Sequence, residues 1–377
     1  MIFSQNILMI GSSERNLGKT EFICRLIAKQ SVISDIVGLK ITVIEDVDGV
    51  VLKPSSQHCD SFFQLDGDFT IFHETDKAGR KDTHRMLRAG AKEVFWVVAL
   101  RSKLPEAMVA LEQMFIDYEI RKTTPVVLEG NSVRHLIEPG LFLIIKGQGR
   151  DIVKESCLQV LPLADKLVDS YGEGWSIDIN QIDFNNGAWV LKEDAAAVIL
   201  AGGQSRRMGQ DKASLTVGNG TMLQHIHGQL EEIFPQVLVS MNTELPYQLL
   251  GSTIVNDIAE GNGPLMGILS CLEQSDHEAN FICACDCPNI DVRFVRHMIS
   301  VLQGYDVVVP MCNGRPEPLF AVYSRNTIPK IKEQLARGVN KVQDLFAELK
   351  VNYQTLEGSW YTNLNTPEQF KQFSSKV

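Results

Sequence analysis

The sequence predicts an α/β protein built from two domains. Its 377 residues exceed the usual size of one domain. Two segments begin alike, since a short apolar run, Asn6–Ile10 or Ala195–Leu200, leads into a Gly- and Ser-containing turn and then into a helical pattern. Strand, turn and helix in this order open many α/β nucleotide-binding domains, so two such beginnings indicate two α/β domains.

The composition excludes several classes of protein. With 44% hydrophobic and 22% charged residues, the chain is typical of soluble globular proteins. A net charge of -10 counts against a nucleic-acid partner. The longest apolar runs, Leu141–Ile145 and Ala195–Ala201, are too short to span a bilayer, and the N-terminus lacks the features of a secretory signal. We therefore expect a cytoplasmic protein without a membrane partner.

The predicted domain borders follow the local composition. We expect domains at residues 1–170 and 194–377, joined by a linker at 171–193 that is rich in Gly, Asn and Asp and contains a short strand at Ala188–Leu191. Buried strands are predicted at Val94–Ala99, Pro125–Leu128, Leu141–Ile145, Val237–Met241, Phe281–Ala284 and Val307–Pro310. Helical patterns lie between them, for example Ala107–Glu119 and Met222–Ile233.

The first strand ends in "GSSERNLGKTEF", residues Gly11–Phe22, which resembles a P-loop that departs from the strict pattern. That pattern requires Gly where Ser13 stands. A strand before the loop and a helix after it still suit phosphate binding through backbone N–H groups. Gly18 would then form the end of the loop, Lys19 its cation, and Thr20 a Mg²⁺ ligand. The alternative is a strand–helix turn with a chance Gly-Lys-Thr.

Three further segments, Gly38–Gly49, Gly79–Val97 and Val126–Val133, follow this loop in order. Together they resemble the GTP-binding adapter of molybdopterin guanine dinucleotide synthesis (MobB-like) over about residues 5–165. The resemblance implies a P-loop NTPase-like domain, with Asp48 and Glu129 as acidic partners of a second Mg²⁺. The family's histidines after the position of Lys40 are absent here, which leaves any function they carry in doubt. His58, Cys59 and His73 are too loosely spaced to predict a metal site.

Eight cysteines are spaced too irregularly for a disulfide framework. Cys283, Cys285 and Cys287 alternate, so in a strand they would share one face. A metal site and a group of buried apolar residues both remain open, and the absence of a CxxC or His spacing favours the second.

The predicted second domain opens with an apolar strand and a turn that contain the stretch "VILAGGQSRRMGQDKASL", Val198–Leu215. Gly202 and Gly203 allow the backbone close to a base and phosphates. Three cations suited to a triphosphate follow, at Arg206, Arg207 and Lys212. This combination indicates a loop that holds a nucleoside triphosphate while its α-phosphate is attacked.

The motif Leu-Ala-Gly-Gly-x-Ser-x-Arg-Met-Gly-x-Asp-Lys resembles the signature loop of the molybdenum cofactor guanylyltransferase family (MobA-like). Further family motifs occur in order, around Asn242, at Asp257 with Gly261–Leu269, at Cys283–Ile290, at Arg315–Tyr323 and at Asn363–Phe370. The resemblance covers about residues 194–377. It implies a Rossmann-like nucleotidyltransferase domain with a mixed, mostly parallel sheet.

The same resemblance implies transfer of GMP from GTP to molybdopterin, with release of pyrophosphate and with Mg²⁺ as the cofactor. The implied GTP contacts are Leu200, Ala201, Gly202, Gly203, Lys212, Asn242, Asp257 and Asp286. The implied catalytic residues are Arg207, Lys212 and Asp286, and Asp286 also binds Mg²⁺. Such a site suits the chemistry, because charge builds up at the α-phosphate and the attacking phosphate of the acceptor needs no strong base.

Three residues are candidates for binding the acceptor. Asn363 and Asn365 precede a helix that Thr366 is better placed to cap, so we expect them to face the pterin or the metal. Arg315 is either a contact to the acceptor phosphate or a solvated loop residue.

Other functions remain open. Cytidylyltransferases for the same pterin usually resemble Leu-Ala-Ala-Gly at the loop, whereas Leu-Ala-Gly-Gly favours guanine. Sugar-phosphate nucleotidyltransferases share the fold. In the main interpretation the N-terminal domain binds GTP and assists synthesis or delivery, with apo-molybdoenzymes and other cofactor-synthesis proteins as partners. A protein of another class, a non-catalytic GTP-binding adapter for molybdoenzyme maturation, would bind GTP near Lys19 yet release no pyrophosphate.

Overall fold

The structure, a computed structural model, describes residues 2–44, 46–47, 50–51, 68–152, 154–202, 212–218, 220–241, 251–259, 263–356, 360–364 and 366–374. It divides into two compact units, Met1–Leu191 and Lys192–Val377. No helix in the described part of the chain is long and apolar enough to cross a membrane.

The first unit is an α/β unit. Its strands are β1 (Ile2–Ser12), β2 (Val37–Ile44), β3 (Asp46–Val47), β4 (Val50–Val51), β5 (Phe69–His73), β6 (Glu93–Leu100), β7 (Val126–Glu129), β8 (Ile137–Gly147), β9 (Lys166–Ser170), β10 (Ile182–Asn185) and β11 (Ala188–Leu191). Its helices are α1 (Lys19–Ser31), α2 (Asp82–Arg88), α3 (Leu104–Asp117) and α4 (Glu155–Leu158).

Seven of these strands form one sheet in the order β5-β6-β2-β7-β1-β8-β9. All neighbours are parallel except β5, which is antiparallel to β6. The strands are apolar on both faces, as expected for a parallel sheet covered on two sides. Phe95 and Phe142 lie in the core on one face, and Phe22 and Ile27 lie in the core on the other.

Residues 171–193, which the sequence suggests are a linker, belong for the most part to the first unit. β10 and β11 form an antiparallel hairpin in which Phe184 lies opposite Trp189. Trp189 is buried, and its indole N–H donates to the backbone oxygen of Asn6 at 2.9 Å. Leu191 packs in the same core as α1. The strand expected at Ala188–Leu191 is present as β11, whereas β10 was not expected because it shows only two apolar residues, Ile182 and Phe184, among polar ones.

The second unit has a mixed sheet. Its strands are β12 (Ala196–Leu200), β13 (Thr216–Val217), β14 (Gly220–Thr221), β15 (Gln236–Ser240), β16 (Ser252–Val255), β17 (Ala279–Ala284), β18 (Val307–Cys312), β19 (Arg315–Pro316), β20 (Phe320–Ser324) and β21 (Val351–Thr355). Its helices are α5 (Met222–Glu231), α6 (Gly263–Gln274), α7 (Val292–Ser300), α8 (Ile328–Ala336) and α9 (Pro367–Ser374).

The sheet order is β16-β15-β12-β17-β20-β18-β19, and β21 pairs with β18. β16, β15, β12 and β17 are parallel, and β20 runs antiparallel to β17 and β18. From β12 the chain first builds outward through β15 and β16, and later returns to β17 on the other side. β12 therefore marks a topological switch point, where ligands of open α/β sheets usually bind.

The three alternating cysteines lie on one side of this sheet. Cys283, Cys285 and Cys287 are buried in the same core cluster as Phe281 and Phe320. The seven cysteines of the described residues are free thiols.

Candidate active site

The glycine turn after β12 lies at the switch point. The N–H groups of Ala201 and Gly202 donate to the oxygen of Ser240 at 3.0 and 3.1 Å. The oxygen of Leu200 accepts from the N–H of Cys285 at 3.2 Å. The turn is thus bonded to both neighbouring strands, and Gly202 is exposed to solvent. A ligand can approach the backbone here without displacing a side chain.

Asp257 lies two residues beyond β16, at the same edge of the sheet. The hydroxyl of Ser240 donates to its Oδ1 at 3.4 Å. Gly267 allows α6 to pack closely here, since a Cβ at that position would come within 2.5 Å of the Ser240 oxygen. The serine that orients Asp257 therefore depends on a glycine in the next helix.

Asp286 follows β17 and completes the row of predicted side chains. Its backbone oxygen accepts from the N–H of Leu364 at 2.8 Å, and its carboxylate lies 3.6 Å from the Cys287 sulfur. Among the described residues no three His, Cys, Asp or Glu side chains converge on a metal position. A cation held by Asp286 would therefore take further ligands from substrate phosphates and water, which is the usual arrangement for Mg²⁺.

Helix α5 holds the loop that carries Asp286. The amide of Gln229 donates to the oxygen of Pro288 at 2.8 Å and accepts from the N–H of Ile290 at 3.2 Å. The ring nitrogen Nε2 of His225 lies 3.1 Å from the same Pro288 oxygen. A carbonyl can only accept, so this nitrogen carries a proton. The sequence alone does not indicate these two residues, because they act through tertiary contacts.

The candidate acceptor side lies beyond Asp286. Arg315 is exposed at the start of β19, and Asn363 is half-buried with its Oδ1 accepting from the Cys287 thiol at 2.8 Å. The phenol of Tyr361 donates to Glu317 at 3.1 Å. Glu317 and Tyr361 were missed by the sequence argument, although both stand within two residues of a motif position that it used.

Several predicted residues cannot be placed. Gly203, Arg207, Asn242, Asn365 and Asp48 lie outside the described residues. Lys212 begins a short 3-10 helix, Lys212–Ser214, but its side chain also lies outside the described part.

The predicted P-loop of the first unit connects β1 to α1. Gly18 is the N-cap of α1 with φ +76°, a left-handed conformation that favours glycine. Lys19 Nζ lies 3.0 Å from Glu129 Oε1, and this glutamate is buried. The other oxygen of Glu129 is buried without a hydrogen-bond partner in the described part of the chain. The loop thus brings Gly18, Lys19 and Glu129 together.

A second acidic residue, which the sequence argument did not use, lies beside Thr20. The hydroxyl of Thr20 and the ammonium of Lys40 both donate to Asp82. Burial raises the pKa of Asp82, but Lys40 and Thr20 lower it more, so the net pKa lies below the usual value. Asp82 therefore stays ionised at neutral pH.

Gly11 lies too early in the sequence for the strict P-loop pattern, and packing explains why a glycine stands there. A Cβ there would come within 2.6 Å of the side-chain oxygen of Asn131. That oxygen accepts from the N–H of Ser12 at 3.0 Å, so Asn131 braces the end of β1.

Comparisons with known proteins agree with the geometry of the second unit. The MobA-like NTP transferase domain matches residues 197–352. A probable molybdenum cofactor guanylyltransferase of Pelotomaculum thermopropionicum is 40% identical over 181 residues, which are 46% of this chain and 88% of that protein. The chain belongs to the molybdenum cofactor guanylyltransferase family. It is therefore a nucleotidyltransferase, and the matched domain lies in the second unit.

Other members of the guanylyltransferase family show the same coverage. The probable molybdenum cofactor guanylyltransferase of Carboxydothermus hydrogenoformans is 32% identical over 187 residues, 48% of this chain and 94% of that protein. Among solved structures, molybdopterin-guanine dinucleotide biosynthesis protein A of Archaeoglobus fulgidus is 20% identical with a TM-score of 0.43, covering 48% of this chain and 97% of that one.

Proposed function

We propose that this guanylyltransferase-family chain transfers GMP from GTP to molybdopterin and releases pyrophosphate, in the cytoplasm, as a step of molybdenum cofactor synthesis. One observation carries the proposal. The Leu200–Gly202 turn, Asp257 and Asp286 follow three strands of one sheet at its switch point, in a domain that matches this family. Nucleotides bind at this edge of open α/β sheets.

The reaction follows from charges and geometry. An oxygen of the acceptor phosphate attacks the α-phosphorus of GTP, forming one P–O bond while the bond to the β-phosphate bridge breaks. Because the nucleophile is already an anion, no side chain needs to remove a proton. The Leu200–Gly202 turn would let the nucleotide lie against its backbone, and Asp257 would orient the nucleotide. Arg207 and Lys212 would offset charge on the phosphates. Asp286 would hold Mg²⁺, which when bound would supply positive charge close to the phosphates.

The test is pyrophosphate release by the purified full chain with Mg²⁺ and molybdopterin, comparing GTP, CTP and ATP. We expect release with GTP, lost in Asp286→Ala and Lys212→Ala and retained in the matched first-unit variant Lys19→Ala. Release with CTP would keep the mechanism and identify a cytidylyltransferase. Turnover with a sugar phosphate instead of the pterin would assign the chain to sugar-phosphate nucleotidyltransferases. A chain that binds GTP but releases no pyrophosphate with any acceptor would contradict the transferase proposal.

We also propose that the first unit binds GTP and assists synthesis of the dinucleotide or its delivery to apo-molybdoenzymes. Support comes from the left-handed Gly18 at the start of α1, from Lys19 beside a buried Glu129, and from the ionised Asp82 at Thr20. The residues fit a Mg²⁺–nucleotide, because an orphaned buried carboxylate oxygen and a threonine hydroxyl are hard oxygen ligands. The same site would serve a non-catalytic adapter.

Counting nucleotide sites tests this second proposal. We expect the full chain to bind two GTP per chain by equilibrium dialysis, and Lys19→Ala to bind one. The loss follows because Lys19 is the cation of the loop. Lys29→Ala, on the same helix, is the matched control and should keep both sites. Two sites in Lys19→Ala would contradict the assignment.

A further inference from the structure

Four side chains form a row of hydrogen bonds that begins next to Asp286 and ends at Glu317. They are Cys287, Asn363, Tyr361 and Glu317. The thiol of Cys287 donates to Asn363 Oδ1 at 2.8 Å, and Asn363 in turn hydrogen-bonds Tyr361. The hydroxyl of Tyr361 donates to Glu317 Oε2 at 3.1 Å. The ring of Tyr361 is held edge-on against Phe320, with centroids 5.1 Å apart.

The last member, Glu317, is fixed by its backbone. Its N–H donates to the oxygen of Pro310 at 2.9 Å, and its oxygen accepts from the N–H of Phe320 at 3.1 Å. Two residues on, Leu319 accepts from the N–H of Ala284, the last residue of β17. The segment that carries Glu317 is therefore tied to the strand that leads to Asp286.

The donor and acceptor roles along these hydrogen-bonded side chains decide which ligand groups Glu317 can bind. An ionised carboxylate only accepts hydrogen bonds, so Tyr361 must be the donor and Glu317 the final acceptor. Within the described residues, Tyr361 is the side chain that hydrogen-bonds Glu317, and Glu317 is half-buried. A carboxylate has two oxygens, so Glu317 can accept from a ligand while Tyr361 donates to Oε2.

The charge of Glu317 limits which part of a substrate it can contact directly. Both substrates carry phosphates, and a carboxylate repels them. Glu317 therefore suits an uncharged part of a substrate that is rich in N–H donors. Its link through Tyr361 to the candidate acceptor residue Asn363 indicates the acceptor and not the guanine of GTP, which has a similar edge. A 2-amino-4-oxo-pteridine has such an edge, because its ring N–H and its amino group lie side by side and together match one carboxylate.

We propose that Glu317, oriented by Tyr361, binds the N–H donor edge of the pterin acceptor and selects against ring systems that lack it. This inference rests on the proposed transfer to molybdopterin. Arg315 lies two residues earlier and is exposed, and it would bind the acceptor phosphate. A cation and an anion on nearby residues would then bind the two ends of the acceptor.

The test compares two ring systems that differ at this edge. The probes are 6,7-dimethylpterin and 6,7-dimethyllumazine, in which a carbonyl replaces the amino group, titrated by fluorescence into the full chain with GTP absent. We expect the wild type to bind the pterin about tenfold or more tightly, the usual effect of one hydrogen bond to a charged group. Equal binding of the two probes, or no pterin binding by protein that binds GTP, would overturn the inference.

Two variants distinguish a direct contact of Glu317 with the pterin from a structural role in which Glu317 only holds Tyr361. Glu317→Gln still offers an oxygen to Tyr361 but turns a donor toward the ligand, so we expect loss of the pterin preference with lumazine binding unchanged or tighter. Tyr361→Phe keeps the ring and should weaken pterin binding less. GTP affinity should stay the same in both. If Glu317→Gln keeps the full preference, Glu317 serves only as a brace and the inference fails.

The outcome does not depend on turnover. Pyrophosphate release by the wild type without pterin preference would retain the proposed function and refute the role of Glu317. A pterin preference lost in Glu317→Gln, in protein that never releases pyrophosphate, would retain the role of Glu317 as a pterin contact and refute the transferase.

Discussion

Glu193 and Arg296 form a buried ion pair in the second unit. Their side chains are 1% and 8% exposed, and Arg296 Nε lies 3.0 Å from Glu193 Oε1. Glu193 also donates its backbone N–H to Ile233 at 2.8 Å, so the pair joins the beginning of this unit to α7. A charge held this far from water is stable only while its partner remains.

Arg296→Met tests the pair at the residue scale. We expect it to lower the free energy of unfolding of the second unit by about 3–5 kcal/mol, because Glu193 is left buried without its partner. The double variant Glu193→Leu with Arg296→Met removes both charges and should recover most of this loss. Urea unfolding measures both, and a loss below about 1 kcal/mol in the single variant would show that water reaches Glu193.

Local motifs in the sequence single out some residues of the candidate site, and the roles of these residues stay predictions. Gly202, Asp257 and Asp286 stand in motifs with fixed spacing, and the structure puts them at one edge of one sheet. Asp82 and Glu317 were missed because they are defined by what they touch, and their partners are distant in the chain.

The sequence pattern predicts whether a segment is a helix or a strand better than it predicts the residues at which that element begins and ends. The helix predicted at Ala107–Glu119 begins at Leu104, because Pro105 suits the first turn and the apolar pattern alone does not show it. The predicted strand at Phe281–Ala284 is the end of β17, which begins at Ala279. The antiparallel direction of β20 was not predictable, since a fully buried run looks the same in either direction.

Gln229 of helix α5 makes two hydrogen bonds to the loop that carries Asp286, and removing them should affect metal binding. Gln229→Leu keeps the side-chain volume and removes two hydrogen bonds to the loop. Because Asp286 would then be held less firmly, we expect the Mg²⁺ concentration for half-maximal pyrophosphate release to rise by up to about thirtyfold, since two bonds of about 1 kcal/mol each are lost. Direct Mn²⁺ binding with GTP, followed by electron paramagnetic resonance, should weaken in parallel.

Gln236→Leu is the matched control. Gln236 makes the same kind of paired bond, to Asp276 at 2.8 and 2.9 Å, but at the start of β15, the opposite end of that strand from the site. It should leave the Mg²⁺ response unchanged. Equal changes in the two variants would mean that Gln229 affects general stability and does not position Asp286.

At the scale of the whole molecule, the chain has two compact α/β units, each with its own mostly parallel sheet. The number of α/β starts was visible in the sequence, because each begins with an apolar run and a glycine-containing turn. The end of the first unit was not visible, since β10 and β11 lie in a stretch rich in Gly, Asn and Asp. Ile182, Trp189 and Leu191 are recognised as core only by their contacts.

The bond between Trp189 and Asn6 has a consequence for synthesis of the protein. Strand β1 has one of its hydrogen-bond partners 183 residues later in the chain. At ordinary translation rates of 5–20 residues per second, β1 must wait roughly 10–40 s for that residue to be made. During this time the apolar strands of the first unit are nascent and incompletely covered. The core of the first unit is therefore complete only once its final hairpin, β10 and β11, has been made, long after the predicted P-loop segment.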